Sequence, residues 1–287
     1  MLELIKRLLM KTRIIIKRFI AIAVMANAML ADYCFAGAWT LPEGKLYDKV
    51  SLNRYTADNF TDSNLGNYIE YGLTDNISII NSIYYKQIEN SLSSTIAGTT
   101  TTTATNTSTT TRGIADVEIG LKHKLADSPK GVLSHQIMVK IPKTYEKNSV
   151  LPLGNGQFDL EYRVLYWLSL SRWFPGYANF EAGYRYRAET PSDEFRYLAE
   201  IGTDITERLY ARAKLDGILS MGNADKTTNI NGNPTIENQF DLQKLDMALG
   251  YKLTNKWGLE FAYTPTIHAR NTANGTTYSL GLVYSLK

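Results

Sequence analysis

Gly113-Ile114-Ala115-Asp116-Val117-Glu118-Ile119-Gly120-Leu121-Lys122-His123-Lys124-Leu125 puts Asp116, Glu118, Lys122 and Lys124 on one parity and Val117, Ile119 and Leu121 on the other. Successive side chains of a strand point to opposite faces, so this segment has one charged face and one oily face. The same pattern recurs along the chain in segments of roughly ten residues separated by turn residues, which is the signature of a transmembrane β-barrel.

Working outward, alternation and turn residues predict about 12 strands, at roughly 45–55, 67–73, 77–88, 113–125, 132–141, 157–170, 177–189, 194–203, 208–220, 238–253, 257–267 and 276–287. The connections alternate in length. Thr74–Asn76, Ala126–Gly131, Ser171–Gly176, Asp204–Glu207 and Thr254–Lys256 are short, whereas Thr56–Gly66, Glu89–Arg112, Pro142–Gly156, Met221–Glu237 and His268–Gly275 are long. Only Thr190–Asp193 is short where a long loop is expected. Short turns of such barrels face the periplasm, so both termini are expected there. Within Thr99–Thr111 ten of thirteen residues are threonine, a composition that buries little and reads as a mobile external loop rather than a strand.

The N-terminus agrees with export. Lys6, Arg7, Lys11, Arg13, Lys17 and Arg18 precede an apolar run from Phe19 to Ala31, and Cys34-Phe35-Ala36 offers a cleavage site before Gly37. Residues 1–36 read as a signal peptide that is removed, and residues 37–287 as a single outer-membrane domain. The run is too short for the roughly 20 residues of a spanning helix, and no later run of 18 apolar residues occurs. The one cysteine, Cys34, falls in the leader, so the exported chain relies on neither disulfides nor thiolate chemistry. Six of the 31 basic residues and two of the 28 acids also lie before Gly37, leaving 25 basic against 26 acidic side chains. That balance gives no basic surface for nucleic acid.

The two faces have different work. Leu160, Tyr162, Val164, Tyr166 and Leu168, then Phe180, Ala182, Tyr184 and Tyr186, then Leu245, Met247, Leu249, Tyr251 and Leu253, and finally Tyr278, Leu280, Leu282, Tyr284 and Leu286 form outward rows. The 19 tyrosines suit the two membrane interfaces. On the opposite parity stand Asp116, Glu118, Lys122, Asp159, Glu161, Arg163, Glu181, Arg185, Arg187, Glu194, Arg196, Glu200, Arg212, Lys214, Lys244 and Asp246. An Arg or Lys on the lipid face near the midplane costs roughly 2–4 kcal/mol, so these side chains are assigned to the lumen and to any transport path through it. If the turn Ser171–Gly176 is centred on Trp173, Glu161 faces Arg185 and Asp159 faces Arg187 across neighbouring strands. Such pairs either stiffen the wall or form a mixed-sign channel suited to neutral, hydroxyl-rich solutes.

Catalysis finds little support. Outer-membrane lipid hydrolases use His-x-Ser, and none of His123, His135 and His268 has Ser two residues on. His123 and His135 are equidistant from Pro129 and face each other if that hairpin is regular, but both lie on the apolar parity and two ligands are too few for a metal. No phosphate-binding loop, metal motif or cofactor motif is present.

Several segments carry a family likeness: Gly37-Ala38-Trp39-Thr40 with Pro42 and Gly44, Glu70-Tyr71-Gly72-Leu73-Thr74-Asp75, Asp116 to Lys122, Leu153-Gly154-Asn155-Gly156-Gln157 with Asp159 and Glu161, and Glu181 to Arg187 with Pro191, Asp193 and Glu194. From about Gly37 to Thr203 the chain resembles the XagA-like outer-membrane proteins, and more distantly the barrels associated with phenol-degradation pathways. The resemblance implies an outer-membrane barrel linked in some bacteria to exopolysaccharide production and biofilm, and supplies no catalytic residue. The expectation is a channel of the bacterial outer membrane passing polar solutes or carbohydrate, among outer-membrane lipid and lipopolysaccharide, with any periplasmic or inner-membrane partner left open. The alternative is a non-conducting barrel whose outer loops bind surface polysaccharide or host material.

Overall fold

The computed structural model describes residues 37–97, 102–142, 145–146, 149–226 and 232–286. The leader with Cys34, and Thr99–Thr101 of the threonine-rich segment, lie outside the described residues. The strands are β1 (Leu46–Ala57), β2 (Phe60–Thr74), β3 (Ile77–Ala97), β4 (Thr102–Ile114), β5 (Val117–Ser128), β6 (Gly131–Ile141), β7 (Asp159–Ser169), β8 (Gly176–Arg187), β9 (Glu194–Asp204), β10 (Leu209–Ser220), β11 (Asp241–Lys252), β12 (Trp257–Arg270) and β13 (Thr276–Leu286).

Neighbours pair antiparallel around the wall, and β13 pairs with β1 to close it. β4 and β5 are two stretches of one barrel strand. Both lie against β3, with Tyr85 opposite Ile114 and Ser82 opposite Glu118, so three residues of the β4–β5 junction oppose two of β3 in a bulge. The barrel therefore has twelve strand positions, and closure leaves no edge for lipid to meet. No described helix is long and apolar enough to cross a membrane.

Two expectations from the sequence are corrected. Thr56–Gly66 is not a long loop: β1 and β2 run on to a two-residue turn at Asp58-Asn59, where Asp58 takes a left-handed φ of 45°. Asp tolerates that region because its short side chain bonds locally. Within the threonine-rich segment Thr102–Thr111 is not a loop either, since it belongs to β4 and is paired with β3. β2 leaves β3 at Asn90, and beyond it β3 and β4 continue as a two-stranded ribbon. Thr107–Thr110 are exposed, so that part of β4 is held by backbone hydrogen bonds and the β-branched preference of threonine, not by burial. A 21-residue β3 far exceeds the about 9–11 residues a membrane strand needs.

The outward rows emerge as read. Leu160, Tyr162, Phe180, Tyr186, Leu249 and Leu280 are each about half exposed to the surroundings of the barrel. β7 and β8 adopt the register centred on the Trp173 turn, with Asp159 opposite Arg187 and Glu161 opposite Arg185. His123 and His135 do face each other, Nδ1 to Nε2 at 3.1 Å, on the outer face beside Tyr162. Among the described residues no group of three or more His, Cys, Asp or Glu is arranged to hold a metal.

Chain enters both ends of the bore. At the short-turn end Gly37–Leu41 runs inside: Thr40 Oγ1 donates to Asp75 O at 2.9 Å, Leu41 N donates to Ser78 Oγ at 2.9 Å, and Ala38 packs on Val132 and Leu165. Trp39 meets Trp167 edge-on at 5.4 Å. At the long-loop end Leu151 and Leu153 of the β6–β7 connection are fully buried against Tyr55, Ala57, Phe60 and Ile88. Asn233 of the β10–β11 connection ties them down by donating to Pro152 O at 2.8 Å.

Candidate functional site

The charged parity of β5 to β9 turns inward and condenses into a network. Glu161, 1 % exposed, accepts from three arginines: Arg163 at 2.6 Å, Arg185 at 2.7 Å and Arg196 at 3.4 Å. Each arginine also has a second carboxylate, Glu181 for Arg163 at 2.5 Å, Glu118 for Arg185 at 2.7 Å and Glu194 for Arg196 at 2.9 Å. Glu194 further holds Arg187 at 2.8 Å. Lys140 joins Asp159 at 2.9 Å and Asp116 at 3.4 Å, and Lys122 pairs with Glu70 at 2.9 Å while donating to Trp39 O. Buried carboxylates and guanidinium groups persist where every charge finds such partners.

A second cluster continues around the wall on β9 to β12. Arg212 reaches Asp246 at 2.7 Å, Glu260 at 2.9 Å and Glu200 at 3.4 Å, and Lys49 of β1 also pairs with Glu260. Tyr177 donates to Glu200 at 2.6 Å and Tyr210 to Glu260 at 3.1 Å. Lys214 and Lys244 behave differently. Neither has a carboxylate within ion-pair distance among the described residues, and Lys244 Nζ lies 5.5 Å from the Tyr55 ring centroid.

Between the clusters lies a cavity of about 360 Å³. Of the sixteen lumen residues read from the sequence, Glu181, Glu200, Arg212 and Lys214 line it; Glu161, Arg185 and Arg187 do not, being absorbed in the first network. The remaining wall includes Tyr47, Tyr68, Tyr84 and Tyr210, with Ser51, Asn67 and Asn179 between them. These rings face inward, whereas the sequence reading gave tyrosine to the membrane interfaces. A repeated local device lays down two of them and two further inward rings: Tyr84 is directly opposite Gly66 and Tyr210 opposite Gly250, as Tyr177 is opposite Gly202 and Tyr197 opposite Gly217. A Cβ added at any of these four glycines would come within 1.9–2.7 Å of the facing ring. The bare backbone is the surface on which the ring lies.

Sequence reasoning missed Glu70, Lys140, Lys49 and Glu260, although parity carried the signal in at least one case. Glu260 alternates with Leu259 and Phe261, which face outward. Tyr145, in the β6–β7 connection, donates to Asp116 at 2.5 Å, and burial together with that carboxylate raises its hydroxyl above its ordinary range.

A closed antiparallel barrel with an apolar outer band and a charged interior is the form of a bacterial outer-membrane β-barrel. Solved structures of that kind are its neighbours. The COG4313 outer membrane channel from Pseudomonas putida F1 is similar at TM-score 0.65 and 12% identity over 87% of this chain and 98% of that one. The NanC porin gives 0.54 and 9% over 83% and 100%, and the KdgM porin 0.52 and 7% over 83% and 99%. At such identities the likeness speaks for the fold. No family model and no curated protein matches the sequence.

Proposed function

We propose that this protein is an outer-membrane channel for small polar, hydroxyl-rich solutes, carbohydrate among them. The carrying observation is the cavity of about 360 Å³ in the bore, walled by four tyrosines and by hydrogen-bonding groups of both signs. Aromatic faces stack on the C–H faces of sugar rings while Asn, Glu and Arg satisfy hydroxyls, the division of labour usual in small-molecule sites. The Glu161 network then serves as a strut that stiffens one wall, and solute passes along the other. A KdgM porin structure is described as a complex with disordered oligogalacturonate, which supports a carbohydrate as the class to test first. The reading carries with it removal of residues 1–36, periplasmic placement of the short turns and both termini, contact with lipopolysaccharide, no catalytic role, and a link to exopolysaccharide and biofilm in the manner of the XagA-like proteins.

The test is a planar bilayer. Conductance steps that are interrupted when an oligosaccharide is added, and that grow when residues 37–42 are removed from the exported chain, support transport. Silence from both forms refutes it. The β3–β4 ribbon favours a second reading, an adhesive barrel whose projecting hydroxyl-rich strands bind polysaccharide. Deleting 92–106 removes polymer retention if that reading holds, and leaves it unchanged if it does not.

A further inference from the structure

Gly37 lies on the cavity wall together with Asn179, Glu181 and Glu200. Its φ is +81°, and a Cβ there would sit 2.0 Å from Asn179 Oδ1, so the position admits glycine alone. The Asn179 amide is oriented by its own hydrogen bond, with Nδ2 donating to Glu181 Oε1 at 2.9 Å, which turns Oδ1 toward Gly37. That oxygen is buried and has no donor among the described residues. Buried acceptors are seldom left so, and one in a native site asks for its missing partner. The residues that follow are already bonded to the bore: Ala38 O accepts from Ser134 Oγ, Trp39 O from Lys122 Nζ, and Leu41 N donates to Ser78 Oγ.

We propose that the missing partner is the α-ammonium of Gly37, created inside the bore's own binding site by export processing. A signal peptidase adds water across the Ala36–Gly37 amide: the C–N bond breaks, Ala36 departs with the leader as a carboxylate, and the nitrogen of Gly37 takes up protons as a primary ammonium. An amide nitrogen has at most one hydrogen to give; the ammonium has three. One satisfies Asn179 Oδ1, and the new positive charge joins a cavity whose wall carries three carboxylates, Glu181, Glu200 and Glu260. Maturation thus latches the first residues of the exported chain into the lumen, and a chain with a blocked or extended terminus lacks the latch. The inference rests on the cleavage site and on the lumen geometry, not on what the channel carries.

The experiment begins with the intact mass of protein extracted from outer membranes, expected to start at Gly37. Two sequence-identical chains are then refolded in detergent, one with a free Gly37 amine and one N-acetylated, alongside Asn179→Leu. An acylating ester should label the free α-amine about tenfold more slowly in the folded barrel than in urea at the same pH, the weight of one charge-assisted hydrogen bond. The acetylated chain and Asn179→Leu should both show a released N-terminal segment, read as faster cleavage after Trp39 or Lys45 by added protease. A mass starting elsewhere, equal labelling rates, or an acetylated chain as protected as the free one overturns the proposal. Labelling and proteolysis need no conductance, so a silent bilayer sinks the channel reading and leaves this one to its own test.

Discussion

Glu161→Gln separates a strut from a path. The substitution keeps the shape of a side chain that is 1 % exposed and removes the charge on which Arg163, Arg185 and Arg196 converge at 2.6, 2.7 and 3.4 Å. Removing one partner of a buried ion pair costs about 3–5 kcal/mol when the other is left uncompensated. Here each arginine keeps a second carboxylate, Glu181, Glu118 or Glu194, so the lower end, about 3 kcal/mol, is the expected loss of stability. The assay is urea unfolding of the refolded barrel in detergent, followed by the mobility difference of folded and unfolded protein on unheated gels. Because Glu161 does not line the cavity, conductance and sugar block should stay at the wild-type level. A loss under about 1 kcal/mol would mean that the arginines are solvated like surface pairs, and a large rise in conductance would mean that the path runs through the network; either refutes the division of the bore.

Other perturbations probe the remaining elements. Val164→Arg places a charge on the outer face at the centre of β7 and should cost about 2–4 kcal/mol in lipid vesicles, measured by the same unfolding titration. Lys214→Glu reverses a cavity cation that has no ion-pair partner among the described residues, and should shift the reversal potential of the channel toward cation preference under a salt gradient. Trp39→Ala removes the edge-on contact with Trp167 and should raise conductance by loosening the N-terminal segment, with a stability loss of about 0.5–1.5 kcal/mol beyond the area term. Tyr145→Phe removes a phenol whose ionisation is opposed by burial and by Asp116, so its contribution is complete below the usual tyrosine range and is lost progressively as pH climbs from that range through the raised value. The wild type and the variant should therefore differ in stability at neutral pH and converge in strong alkali.

The barrel was legible because period-two alternation over many segments leaves one closed solution, and the β7–β8 register followed from Trp173 and the opposed charges of Asp159 and Arg187 alone. The outward rows were equally plain. Thr102–Thr111 was not, because burial logic treats a segment with little apolar to bury as a loop, whereas pairing with β3 satisfies its backbone. Thr56–Gly66 failed for a related reason: its polar residues resemble a loop, and only the tight Asp58-Asn59 turn shows that both strands continue. In the lumen, parity put the charges inside but could not say which would pair, since Arg212 draws Glu200, Asp246 and Glu260 from three other strands. The inward tyrosines were misplaced because an amphipathic ring suits an interface and a cavity wall equally well, and the opposing glycine that decides for Tyr84 and Tyr210 lies on a different strand.

Those tyrosine and glycine partnerships make calibre a property of residues that possess no side chain. A methyl group at Gly250 or Gly66 would prise the facing ring off the backbone and swing it toward the axis, narrowing the bore without altering a single charge. Width and polarity are consequently separable in this architecture: one is written in the small residues behind the aromatics, the other in the ionised ones beside them, and a designer could retune either while leaving its counterpart in place.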